Sequence, residues 1–256
     1  NMEGVCIGVK RVEGGKMSSF LTTNIKEGDI LEVMPPTGNF ILQGKNVVGI
    51  CAGSGITPII SMIKTHDSNF TLIYGNQTIS STMFYGDLKE LNVKTFFVFS
   101  KEKVEGAKEG RVNVNILESL PKNILSADAF FICGPGEMID TVSAFLLKKG
   151  IKKSKIHFER FTASKKQKQT EQTDEITSNV LVSLDGDDFE FQLSSDGQSI
   201  LDAAMEVGAD VPFSCKGAVC CTCKAKVKEG KVVMDANYSL SKEEVSEGYI
   251  LTCQSH

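Results

Sequence analysis

Hydrophobic and polar positions follow two rhythms along this 256-residue chain. In residues 1–45 the period is two: Val5, Ile7 and Val9 alternate with Cys6, Gly8 and Lys10. Ile30-Leu31-Glu32-Val33-Met34 then runs from a turn at Gly28-Asp29 to a stop at Pro35-Pro36. That pattern predicts two or three β-strands, too few to close a core alone. From Asn46 the rhythm changes. Val47–Ala52, Phe70–Tyr74, Lys94–Phe99, Ala129–Cys133 and Ile156–Phe161 read as strands. Ile59–Ile63, Met83–Leu91, Val112–Leu120 and Glu137–Lys149 read as the helices between them. The alternation predicts an α/β doubly wound parallel sheet, with ligands at the carboxyl ends of its strands.

Residues 163–178 carry one apolar side chain of any size, Ile176, and read as a linker. Beyond it, Asn179–Leu184 and Phe189–Leu193 predict a hairpin around Asp185-Gly186-Asp187. A helix follows from Ser199 as N-cap to Gly208 at its C-terminal end. A strand at Lys224–Val227 completes a small α+β unit. The expected organisation is therefore 1–45, 46–162, the linker 163–178, and 179–256.

The chemistry is densest in the last unit. Cys215, Cys220 and Cys223 stand as C-x4-C-x2-C, and Cys253 follows thirty residues later. This is the ligand spacing of a plant-type [2Fe–2S] cluster, in which each iron takes two thiolates. Gly217 and Ala218 are expected to form the sharp turn that points N–H groups at sulfide. Cys221 breaks the spacing and reads as a loop thiol that coordinates nothing. Structural zinc sites bring thiols in C-x2-4-C pairs, often with His, and only His256 is near. Eight cysteines in 256 residues are also far from the density of a disulfide scaffold.

Two turns fall at predicted strand ends. Gly53-Ser54-Gly55-Ile56-Thr57-Pro58 joins a strand to a helix, where small residues admit a pyrophosphate to a helix N-terminus; a plain tight turn is the alternative. It lacks the third glycine of G-x-G-x-x-G, and Gly75-Asn76-Gln77 stands where an acid would hold a ribose. Cys133-Gly134-Pro135-Gly136 is a second turn of this kind. Ser100-Lys101 ends the next strand and leans towards NADPH over NADH; a Lys that is simply solvated surface is the alternative. His66, His157 and His256 sit in no H-E-x-x-H context, and the chain has no G-x-S-x-G, which removes the common hydrolase readings.

Charge and composition narrow the picture. Residues 179–256 hold 13 acids against 6 lysines, a net −7, while residues 1–178 hold 22 basic against 19 acidic residues, a net +3. An acidic C-terminal unit can dock on a mildly basic body or on a partner protein; ordinary solubilising charge is the alternative. The overall −4 argues against a nucleic-acid partner. No apolar run is long enough for a bilayer, so no membrane association is expected. Crowded thiols without a secretory signal point to the cytoplasm.

Together these residues resemble the ferredoxin–NADP reductase superfamily. The likeness is to flavin reductases with a C-terminal plant-type ferredoxin domain that feed electrons to oxygenases, in particular the phenylacetyl-CoA oxygenase group. Gly15 and Ser18, within Val9–Ser18, look like the G-x-x-S motif that contacts the FAD pyrophosphate. Glu32–Gly38 matches the end of the flavin barrel. Gly53, Ser54, Gly55, Thr57 and Pro58 resemble the pyridine-nucleotide loop, and Cys133-Gly134-Pro135 the turn beside the nicotinamide. Phe158–Phe161 resembles the segment facing the flavin, while Met234–Tyr238 and Gly248–Gln254 are similar to the ferredoxin tail.

The resemblance implies a partial β-barrel flavin domain, an NAD(P)-binding domain and a β-grasp ferredoxin domain. It places Cys133 and Glu159 at the nicotinamide–flavin meeting point and Phe161 on the flavin ring. It implies FAD, NADP(H) and [2Fe–2S] as cofactors and an oxygenase component as partner. The family's R-x-Y-S motif matches nothing here, and its last ferredoxin strand would follow Cys253; the expectation is a fragment cut at both ends. A ferredoxin-type carrier or docking module without NAD(P)H turnover is the alternative.

Overall fold

The structure, a computed structural model, describes residues 4–33, 40–65, 69–91, 93–161 and 176–256. Pro35-Pro36-Thr37-Gly38, His66 and linker residues 163–175 lie outside these. The chain divides into two compact units, one ending at Glu159 and one running from Arg160 to His256.

In the first unit a helix, α1 (Lys16–Thr23), precedes the sheet. The strands are β1 (Asn46–Ala52), β2 (Asn69–Asn76), β3 (Lys94–Phe99), β4 (Lys108–Glu109), β5 (Ala129–Gly134) and β6 (Ile156–Arg160). Between them lie α2 (Ile56–Thr65), α3 (Tyr85–Glu90), α4 (Val114–Glu118) and α5 (Gly136–Lys148). The sheet order is β4-β3-β2-β1-β5-β6, and β1 pairs in parallel with both β2 and β5. The strand order reverses direction between β1 and β5, which makes the crevice above that pair the place where ligands bind in such sheets.

Apolar runs without alternation form these strands because both faces are covered. Val48, Ile50, Ile73, Phe130 and Ile132 pack on one side with Ile139, Val142 and Leu146 of α5. Val47, Cys51, Leu72, Tyr74 and Phe131 pack on the other with Ile56, Ile59 and Ile60 of α2 and Leu88 of α3. α3 begins only at Tyr85, two residues later than the apolar pattern suggested, because Phe84 is left-handed at φ +58° and cannot join a right-handed helix. α4 is also short, opened by Asn113, whose side chain accepts the Ile116 N–H at 3.0 Å.

The strands expected in residues 1–45 are not formed among the described residues. Val5, Ile7, Ile30 and Val33 are exposed, at 82%, 64%, 93% and 78%. Their alternation meets neither a pairing strand nor a core face, and a two-residue period needs both.

In the second unit β7 (Thr177–Leu184) and β8 (Asp187–Ser194) form an antiparallel hairpin. Its two-residue loop, Asp185 and Gly186 with φ +52° and +98°, has the left-handed pair that matches strand twist. β7 starts two residues earlier than expected and takes in Thr177-Ser178. α6 (Ile200–Glu206) is capped by Ser199, whose hydroxyl accepts the Asp202 N–H, and left-handed Gly208 follows its end. β9 (Lys224–Lys226) pairs antiparallel with β10 (Tyr249–Leu251), and α7 (Lys242–Ser246) opens with a Ser241–Glu244 capping box. Phe191, Leu193, Ile200, Ala203, Ala204 and Ile250 make the core.

Candidate functional site

β1 ends at Ala52, and Gly53–Gly55 makes a tight 3-10 turn into α2. Gly53 is left-handed at φ +55°, a conformation a side chain would strain. The Tyr74 hydroxyl, on β2, donates to the Gly53 carbonyl at 3.0 Å, and Thr57 Oγ1 donates to the Ser54 carbonyl at 3.0 Å. Pro58 sits in the first turn of α2, where its missing N–H has no helical partner to lose. β5 ends at Gly134, and Pro135 leads into α5.

The two turns close on one another. A Cβ on Gly55 would lie 2.1 Å from the Cys133 carbonyl oxygen, so only glycine lets these backbones approach. A Cβ on Gly134 would meet the Ala52 amide nitrogen at 3.2 Å and Met138 Cε at 2.7 Å. The N-terminal ends of α2 and α5 thus follow the two turns that close on one another, and the dipole at a helix start favours an anion.

Ser100 N–H donates to the Asn76 carbonyl and Lys101 N–H to the Gln77 carbonyl, both at 3.0 Å, which carries Ser100-Lys101 to the same edge. Asn76 is buried there, its side-chain amide close to the Tyr74 hydroxyl. Lys10, whose place in the sequence marks it only as a polar position of a strand, reaches this edge too. Its ammonium donates to the Ser81 carbonyl at 3.0 Å and lies 3.6 Å from where a Gly53 Cβ would stand. Burial lowers its pKa.

Cys133 is fully buried and pairs in register with Cys51, itself opposite Tyr74. Burial pushes the Cys133 thiol up, and the Glu159 carboxylate beside it adds to the shift. Burial also raises Glu159 above the ordinary carboxylate range. Phe161 follows β6 with 44% of its surface exposed. Gly15 and Ser18 make local contacts at the start of α1. Ser18 Oγ accepts the Val12 N–H at 3.1 Å, and a Cβ on Gly15 would press to 2.6 Å from that oxygen. The helix start has no side-chain cap.

In the second unit the loop from Cys215 to Cys223 carries left-handed residues at Lys216 (φ +48°), Ala218 (+65°) and Cys221 (+56°). Of the Gly217-Ala218 pair expected to form the sharp turn, Ala218 takes the left-handed conformation and Gly217 does not. The strain falls instead on residues with side chains, held by their surroundings: Ala218 is 1% exposed, and its carbonyl accepts from Tyr238 N–H and Ser239 Oγ. The thiols meet in pairs. Cys215 lies beside Cys220, and Cys223 beside Cys253. The contact with Cys253 and burial raise Cys223, and the same contact favours the thiolate at Cys253. Gly217 N–H donates to Cys215 Sγ at 3.3 Å, and the Ala218 N–H approaches Cys253. Among the described residues no three His, Cys, Asp or Glu side chains converge as a single-ion site.

Residues 50–144 match the family model described as "Oxidoreductase NAD-binding domain", and residues 182–256 match "2Fe-2S iron-sulfur cluster binding domain". The chain is 40% identical to one component of the 1,2-phenylacetyl-CoA epoxidase of Escherichia coli K12, over 98% of its own length and 76% of that protein's. It belongs to the ferredoxin–NADP reductase superfamily, in the branch that carries a [2Fe–2S] domain. This reductase is also 32% identical to the ferredoxin reductase component of a 3-ketosteroid-9-alpha-monooxygenase of Rhodococcus rhodochrous, over 96% of the chain and 74% of that protein. An intact type IV self-sufficient cytochrome P450 monooxygenase shares the fold, with TM-score 0.68 and 22% identity over 96% of this chain. The chain spans 31% of that larger protein.

The residues present fit the cofactors of this branch. Four thiols in two pairs, with backbone N–H groups aimed at sulfur, suit a two-iron cluster. A glycine-only approach of the two turns at the ends of β1 and β5 suits a nucleotide. The uncapped start of α1 suits a pyrophosphate. Lys10, Asn76 and Tyr74 were not foreseen as members of the site, since each reads in sequence as an ordinary strand residue. Only the missing acid at Asn76 marked that position.

Proposed function

We propose that this chain oxidises NAD(P)H and passes single electrons to the oxygenase component of a phenylacetyl-CoA epoxidase system. FAD and a [2Fe–2S] cluster supply the redox chemistry when bound: a hydride, two electrons, enters, the electrons leave singly, and the accompanying proton is released. The rest is placement by the protein. Gly53, Ser54, Gly55, Thr57, Pro58, Gly134 and Pro135 receive the dinucleotide phosphates between two helix starts, with Lys10 adding charge. Ser100 and Lys101 take the 2′-phosphate of NADPH. Cys133, fully buried, and the half-buried Glu159 line the nicotinamide place. Gly15 and Ser18 receive the flavin pyrophosphate, and Phe161 covers the flavin ring. Cys215 and Cys220 hold one iron, Cys223 and Cys253 the other. The reaction belongs in the cytoplasm, where thiols stay reduced.

The observation that carries this reading is the coincidence of a glycine-only crevice at the β1/β5 switch point with paired cluster thiols in one chain. Protein purified without oxygen should contain two irons and two acid-labile sulfides per chain. It should also oxidise NADPH when supplied with FAD and a one-electron acceptor. Iron and sulfide without NADPH oxidation would reduce the chain to a carrier module; zinc without sulfide would end the reading. Lys101→Ala should weaken NADPH several-fold more than NADH, and equal loss for both would remove the case for NADPH.

A further inference from the structure

Gln254 follows the fourth cysteine, and its side chain is buried, 5% exposed. Its amide nitrogen lies 3.2 Å from the Lys216 carbonyl, 2.7 Å from the Cys253 carbonyl and 3.7 Å from Cys253 Sγ. A primary amide has two N–H donors, so three acceptors share two hydrogens. One side of this amide therefore ties the left-handed start of the cysteine loop, Lys216, to the distant segment that delivers Cys253. The other side faces the sulfur that pairs with Cys223. A buried amide that binds backbone on both sides of the cluster place cannot rotate away without leaving its own donors and the Lys216 carbonyl unpaired.

An N–H···S hydrogen bond favours whichever state puts more negative charge on sulfur. For a thiolate bound to iron that is the reduced state, so each such donor raises the reduction potential. We infer that Gln254 is a positioning residue for the cluster: it sets the register of Cys253 against the loop and raises the reduction potential of the cluster through the Cys253 sulfur. This rests on the ligand assignment proposed above. It adds a residue absent from the C-x4-C-x2-C…C pattern, and it locates the tuning on the Cys223/Cys253 half rather than the Cys215/Cys220 half.

The test is Gln254→Met, which keeps the length of the side chain and removes the donors. Iron and sulfide content, the electron paramagnetic resonance spectrum of the reduced protein and the midpoint potential are measured on the whole chain, wild type and variant. The expected result is a fully loaded cluster with a more negative midpoint, altered g-values and a smaller fraction reduced at a fixed NADPH:NADP ratio. A loaded cluster with wild-type midpoint and g-values overturns the inference. If the Met variant does not retain its cluster, Gln254→Asn, which keeps the amide one methylene shorter, is measured instead. A negative shift supports the role and a wild-type midpoint overturns it. Absence of a [2Fe–2S] signal from the wild type would overturn the ligand assignment itself, an outcome distinct from the others.

Discussion

At the crevice between β1 and β5 the backbone is the binding surface, and side chains matter by their absence; at the cysteine loop the side chains are the ligands, and the backbone bends to deliver them. Gly55 and Gly134 allow two peptide planes to approach where any Cβ would collide, on a sheet whose core is already closed. Lys216, Ala218 and Cys221 do the opposite, taking left-handed conformations that L residues avoid, in a stretch without regular structure. The first site is therefore made by the close approach of backbones, whereas the second is made by strained residues that packing and hydrogen bonds around Ala218 hold in place. Each can be lost without the other.

The largest effect that would test this separation is Cys220→Ser. It should remove the cluster completely, seen as loss of the visible iron–sulfur spectrum, while thermal unfolding of the first unit stays at its wild-type temperature. Cys221→Ser should leave iron and sulfide unchanged; loss of iron there and retention in Cys220→Ser would reverse the ligand assignment. Next in size is Gly55→Ala. A Cβ 2.1 Å from the Cys133 carbonyl must push the two turns apart, so overpacking should cost about 1–3 kcal/mol of stability. NADPH oxidation should be lost while the cluster spectrum is untouched, and nucleotide titration together with spectroscopy reads both.

Tyr74→Phe should be milder. Removing the hydroxyl from the Gly53 carbonyl costs about 1 kcal/mol of ordering at the turn, expected as a higher KM for NADPH at unchanged kcat. An unchanged KM would mean that the glycine turn holds its shape without this anchor. The smallest effect concerns pH. Glu159 is raised by burial, so the folded chain binds its proton more tightly than the unfolded chain does. Its contribution to stability is present below the ordinary carboxylate pKa and declines as pH rises through the raised value. Glu159→Gln should flatten that decline in urea-unfolding curves taken across the acid range, and an unaltered pH profile would show that solvent screens the group.

The contrast also explains what could be seen in the residue order. Apolar runs at Val47–Ala52 and Ala129–Cys133 declared buried parallel strands, because nothing but a two-sided core tolerates them. Thiol spacing declared the cluster, because metal chemistry fixes ligand identity and separation. Strain was less visible: within the expected Gly217-Ala218 turn it is Ala218 that is left-handed, joined by Lys216, a choice made by packing around Ala218 and not by local propensity. Lys10 and Asn76 were hidden for another reason. Their value lies in which turn they face across the sheet edge, and no local period encodes that. The alternation in residues 5–9 and 30–33 predicted strands from a pattern that is necessary for pairing but cannot supply the pairing strand.

The switch point in the sheet has one more consequence, for how the first unit comes together. β1 meets β2 across about twenty residues of chain but β5 across about eighty, so the β1–β5 seam closes at a much greater loss of chain entropy. The crevice is that seam. Neither half of the sheet contains it alone, so nucleotide binds only after the slow long-range pairing is made and draws the closed form out of the folding equilibrium. An added dinucleotide is therefore expected to act as a fastener of this seam, read as a higher unfolding temperature of the first unit.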